Sequence, residues 1–114
     1  MISSLVTNII INLTFEGTHN WPDCNISEVS FLKHPHRHIF YICCKKTVTH
    51  NNRQIEIIKF KREILKYINN TYPNGKMNAT SCEMLATELL LKFKLYYCKV
   101  LEDNENGAEV LNNE

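Results

Sequence analysis

Alternation of apolar and polar positions dominates the N-terminal region. From residue 5 to residue 19 the chain is rich in β-branched and large apolar types, and Ile9, Ile11, Leu13, Phe15, Gly17 and His19 fall on one face of an extended strand. His19 therefore ends a buried stripe. A loop with Trp21, Pro22, Asp23 and Asn25 follows, and a second strand is read over residues 38–49. There His36, His38, Phe40, Ile42 and Cys44 share a face if strand geometry reaches back that far. Asn51-Asn52 supplies turn chemistry.

At Glu56 the period changes. Ile57, Phe60, Ile64 and Tyr67/Ile68 recur at helical intervals until Asn69-Asn70 and Pro73-Asn74-Gly75 end the pattern. A second helix is predicted from Thr80-Ser81-Cys82-Glu83, which has the form of a capping box, and Leu85, Leu89 and Phe93 continue its apolar face. Period two returns at Tyr96, Cys98, Val100 and Glu102. Asn106-Gly107 then reads as a hairpin turn into Ala108–Leu111. The predicted order is β-β-α-α-β-β: one α+β domain over residues 1–114, its core about residues 4–111, with a short polar tail.

Composition narrows the classes of function. The 114 residues are 44% hydrophobic, enough for one core and too few for two domains. The 13 Lys and Arg are scattered at a net charge of +1, so no nucleic-acid footprint is expected. The run Leu5–Leu13 is interrupted by Thr7, Asn8 and Asn12 and falls well short of the ~20 residues of a membrane-spanning helix, so no membrane partner is expected. Five cysteines without Cys-x-x-Cys spacing, and no signal-peptide pattern, point to a reducing, cytoplasmic setting.

The candidate chemistry lies in the histidines. Residues two apart on a strand face the same side, so His36-Arg37-His38 can present two imidazoles to one ion, and His19 closes the neighbouring stripe. A catalytic zinc site commonly has three protein ligands and one open place. The same spacing fits an ordinary polar strand edge, and His34-Pro35-His36 offers it equally. Local pattern leaves the binding pair open.

Over residues 15–110 the chain resembles the 6-pyruvoyl- and 6-carboxytetrahydropterin synthases, the pterin-handling branch of the tunnelling fold. Phe15-Glu16-Gly17-Thr18-His19 is similar to the family's first-strand Phe-x-Ala-x-His, and His36-Arg37-His38-Ile39-Phe40 to its His-Gly-His-x-Phe. Glu56–Lys61 resembles the opening of the family's first helix, Ser81–Ala86 the start of its second, and Val100-Leu101-Glu102 with Asn106-Gly107-Ala108 its C-terminal glutamate and turn. The resemblance implies a four-stranded antiparallel sheet with both helices on one face. It also implies Zn2+ on His19, His36 and His38, a pterin ring gripped by Glu102 and Glu83, and a homo-oligomer, trimer or stacked pair of trimers, with sites between subunits.

Two departures bear on activity. The family's catalytic cysteine lies a few residues before the His-x-His, where this chain has Leu32; Cys24, twelve residues before His36, is the cysteine of that loop. The family's Asp-His pair after the first helix has no match in Ile68-Asn69-Asn70-Thr71-Tyr72. Cys24 and His34 stand as the candidate proton-transfer groups. The leading expectation is a zinc-dependent lyase acting on dihydroneopterin triphosphate or a close relative, a chemistry that in the 6-carboxy branch feeds 7-deazaguanine and queuosine synthesis. The alternative is a metal-containing protein that binds a pterin, purine or nucleotide-like molecule without converting it. The Asn- and Ile-rich composition would suit a phage or mobile-element protein.

Overall fold

A computed structural model describes residues 5–113; the outermost parts of the predicted domain, residues 1–4 and 114, lie outside the described residues. In chain order the elements are β1 (Thr7–His19), β2 (His36–Val48), α1 (Ile57–Thr71), β3 (Lys76–Asn78), α2 (Cys82–Phe93), β4 (Tyr97–Glu102) and β5 (Asn106–Leu111). Short 3-10 segments occupy Ser27–Lys33 and Pro73–Gly75. The architecture is α+β.

The expected alternation is realised. Ile11, Leu13, Phe15, Gly17 and His19 of β1 are buried, as are Phe40, Ile42 and Cys44 of β2 and Cys98 and Val100 of β4. β1 and β2 pair antiparallel from Thr7 opposite Val48 to His19 opposite His36. Onto this one face fold Phe60, Ile64 and Ile68 of α1 and Leu85, Ala86, Leu89 and Leu90 of α2, making a single core.

Each helix starts where a side chain satisfies its free amides. The Glu56 carboxylate accepts from the N–H of Ile58 and Lys59 at 3.0 and 2.9 Å, and these bonds hold its carboxyl below the usual range. Ser81 Oγ accepts from Met84 N–H at 3.1 Å and caps α2. The expected box between Thr80 and Glu83 does not form, because Thr80 is drawn into a turn: its N–H bonds Met77 O and its carbonyl serves His19. Glu88, midway along α2, ties that helix to the C-terminal end of α1 by accepting from the hydroxyls of Tyr67, at 2.5 Å, and Tyr72. The hydrogen bond to Glu88 raises the Tyr67 phenol, while burial, then Glu88, raises that of Tyr72.

Two expectations about the sheet are corrected. The sheet has five strands in the order β3-β1-β2-β4-β5 and is mixed, not four-stranded and antiparallel. After α1 the chain turns at Asn74 and Gly75, both with positive φ, and lies so close to β1 that a Cβ on Gly75 would be 2.5 Å from Glu16 O. Met77 then buries its side chain, and Lys76 and Asn78 pair parallel to Thr18 and His19 across a register shift. Period-two reasoning has no purchase on a three-residue strand. The second correction concerns the β4–β5 turn, which is Asp103–Glu105, with Asp103 and Asn104 left-handed; Asn106 already pairs with Glu102. Gly107 serves a close strand approach instead, since a Cβ there would fall 1.8 Å from Val100 O.

Gly107→Ala is therefore expected to destabilise the fold by about 1–3 kcal/mol through forced strand displacement. Leu89→Ala, which empties a fully buried position, is expected to cost about 2–5 kcal/mol. Urea unfolding midpoints read both, and a Gly107→Ala variant as stable as wild type would contradict the close-approach account.

Candidate metal centre

β1 delivers His19 and β2 delivers His36 and His38 to the same end of the core face. The register sets His19 directly opposite His36 and Gly17 opposite His38. A Cβ on Gly17 would meet Met77 Sδ at 2.6 Å and the rings of Phe15 and Phe40 at 3.0 and 3.1 Å, so added bulk there would need those side chains to shift. Donor atoms of the three histidines all lie within 4.8 Å of one another, and this set could hold a metal ion. His19 is buried, and His36 and His38 are half-buried.

Each ring is held from behind. His19 Nδ1 donates to Thr80 O at 2.8 Å, His36 Nδ1 to His34 O at 2.8 Å, and His38 Nδ1 to Asp103 Oδ2 at 2.6 Å. With Nδ1 carrying the proton, each neutral imidazole keeps its lone pair on Nε2. Outer hydrogen bonds of this kind fix the tautomer and ring orientation of metal-binding histidines. The chemistry of the donor set thus fits a borderline divalent ion that takes nitrogen ligands.

Glu102, at the end of β4, approaches from the other side. Its Oε2 is 3.0 Å from His19 Nε2 and its Oε1 3.6 Å from His38 Nε2. The 3.0 Å contact with His19 lacks hydrogen-bond geometry, leaving His19 Nε2 a buried nitrogen without a hydrogen-bond partner. An orphaned lone pair facing a carboxylate is what a cation would resolve.

Around these groups opens a cleft of about 610 Å3, lined by His19, Trp21, His36, Cys82, Glu83 and Glu102 among others. The first turn of α2 forms one wall. The positive end of the helix dipole favours negative charge nearby. Cys82 Sγ donates to Glu102 Oε2 at 3.8 Å, and burial, then the charges of Glu102 and Glu83, push the thiol up to about 12, so it is a neutral donor. Glu83 is exposed on the same wall.

The two candidate proton-transfer residues lie elsewhere. Cys24 is 2% exposed, with Sγ turned to the carbonyls of Ile26 and Val29, and it does not line the cleft. His34 is exposed; its contribution to the cluster is its backbone carbonyl, which holds His36. Thr80, Asp103 and Cys82 were not legible as site residues. Thr80 acts through a carbonyl, which any residue type carries, and Asp103 through a left-handed turn that no spacing signals.

No family model matches the chain, and no curated protein matches it. Among solved structures it is similar to the crystal structure of an uncharacterized protein from Wolinella succinogenes, at 13% identity, with a TM-score of 0.61 over 96% of this chain and 100% of that one. At that identity the likeness establishes the fold alone. Among the described residues no helix is long and apolar enough to cross a membrane.

Asp103 offers a direct test of the outer bonds. Its carboxyl is held below the usual range by the His38 hydrogen bond, then by the N–H of Ile39. A carboxyl so depressed stabilises the fold above its unfolded value of about 3.9, and that stabilisation is lost as pH falls through the folded value. The stability gap between wild type and Asp103→Asn, open at pH 6, should narrow below about pH 4. The same variant should bind a divalent ion about 10–100-fold more weakly, by titration calorimetry.

Proposed function

We propose that this chain is a metal-containing binding domain, a divergent relative of the tetrahydropterin synthases in the tunnelling fold, that captures a pterin or purine-like molecule. The observation that carries this reading is the convergence of three imidazoles whose Nδ1 atoms are all committed elsewhere. The element order supports the tunnelling fold, since four strands and two helices on one face remain once the three-residue β3 is set aside.

His19, His36 and His38 would hold Zn2+. When bound, the ion supplies Lewis acidity toward a ligand oxygen. The chain's own groups account for recognition. Trp21, 44% exposed at the cleft, offers a face on which a planar ring stacks. Glu83 and Glu102 offer carboxylates to the ring's N–H edge.

The lyase reading is the second one. It needs Cys24 or His34 at the reacting atoms, and the buried Cys24 thiol and the solvent-facing His34 weigh against it. No other thiol takes over readily, because Cys82 is held neutral.

Assembly belongs to the same proposal. Among the described residues β1 pairs on its outer side through Thr18 and His19 alone, and β5 is an edge strand. Open edges of this kind invite pairing. Asn106, Gly107 and Ala108 of the β5 edge also border the cleft, so a second copy there would wall it. Light scattering on a gel-filtration column is expected to return a trimer or hexamer, and a stable monomer would refute this part.

Purified protein incubated with Zn2+ and desalted should retain about one ion per chain by elemental analysis, with His36→Ala and His38→Ala each abolishing retention. At 100-fold excess over Kd the ion should stabilise the fold by about 2.7 kcal/mol. In a thermal-shift series with neopterin and guanosine, a binder is stabilised by a molecule that mass spectrometry recovers intact. Conversion of dihydroneopterin triphosphate would instead establish the lyase.

A further inference from the structure

The position of Glu102 exceeds what ring recognition requires. A carboxylate that only gripped a ligand would point into the cleft, yet this one stands 3.0 Å from His19 Nε2 and 3.6 Å from His38 Nε2. In the neutral rings, with Nδ1 donating elsewhere, both nitrogens carry lone pairs. Two electron-rich atoms at this range repel unless a cation lies between them. A proton would fill the role by a straight N–H···O bond, and His19 Nε2 makes none.

The distances match a different arrangement. Around a tetrahedral ion with bonds of about 2.0–2.1 Å, neighbouring donor atoms sit about 3.3 Å apart. One Glu102 oxygen lies just inside that value from His19 Nε2, at 3.0 Å, and the other just outside it from His38 Nε2, at 3.6 Å. β4 builds the approach: Glu102 pairs opposite Phe40 of β2, one alternation along from His38, on the same face of the sheet. The Cys82 thiol, donating to Oε2, holds the carboxylate from the helix side as an outer partner.

From this geometry we infer that Glu102 is the fourth ligand of the ion while the cleft is empty, making a three-histidine, one-carboxylate centre. The inference rests on the metal-binding reading above. It adds that the shell is closed at rest, and that a molecule reaching the ion must first displace Glu102. The carboxylate then becomes free to meet the incoming N–H edge, so ion access and ligand recognition depend on one side chain.

The test uses the full chain loaded with Co2+, whose visible spectrum reports coordination, titrated with azide as a small anionic ligand. Wild type should show a four-coordinate spectrum that azide leaves unchanged. Glu102→Gln should still take Co2+ through the histidines, at least about tenfold more weakly, and its spectrum should shift with azide. Glu102→Asp, one methylene shorter, serves if the amide variant fails to fold, with the same expected opening. If azide shifts wild type as it does the variant, or if the variant keeps wild-type affinity and spectrum, Glu102 is no ligand and the inference is overturned. A wild-type chain that takes up no Co2+ at all overturns the metal-binding reading itself, which keeps the two failures apart.

Discussion

The pairing of β1 with β2 constrains everything else in this molecule. Thirteen residues of each strand lie in unbroken antiparallel register, and the pleat sends every second side chain to the same side. Along that side Ile11, Leu13 and Phe15 meet Cys44, Ile42 and Phe40 to form the sheet's share of the core. The same parity carries on past the apolar residues to Gly17 and His19, opposite His38 and His36. A slip of one residue would turn the imidazoles to the other face together with the core. Fold and site are thus held by one register.

What converts three neighbouring histidines into a directed cluster is the set of oxygen acceptors behind them. They come from three unrelated places: the carbonyl of Thr80 between β3 and α2, the carbonyl of His34 in the β1–β2 connection, and the side chain of Asp103 in the β4–β5 turn. Each ring is therefore tied to a different part of the chain. The short parallel strand β3 matters for this reason above its size. By pairing with Thr18 and His19 it brings Thr80 to the His19 ring, and the Asn20 N–H bond to Asn78 O secures the junction.

The cleft combines an orphaned buried nitrogen, a carboxylate beside it, a neutral thiol and an exposed indole. Cys24 is sealed under its own loop and, like His34, does not line this space.

The residue pattern by itself determined the elements and the faces. The two-residue alternation around Ile11 and Phe40, the helical recurrence of Phe60, Ile64 and Ile68, and the cap at Glu56 are local properties, set by backbone periodicity and nearby hydrogen bonds. From these followed the α+β class and the shared side of His19, His36 and His38. Tertiary structure alone decided what stands behind and opposite those rings. β3 is too short to show a period, the Asp103 turn displaced the Asn106-Gly107 signal, and Thr80 contributes a carbonyl that no side-chain type announces. It also decided that Glu102 faces the imidazoles while Cys24 does not, because those directions are set by contacts between segments far apart in the chain, and spacing along a sequence carries no record of them.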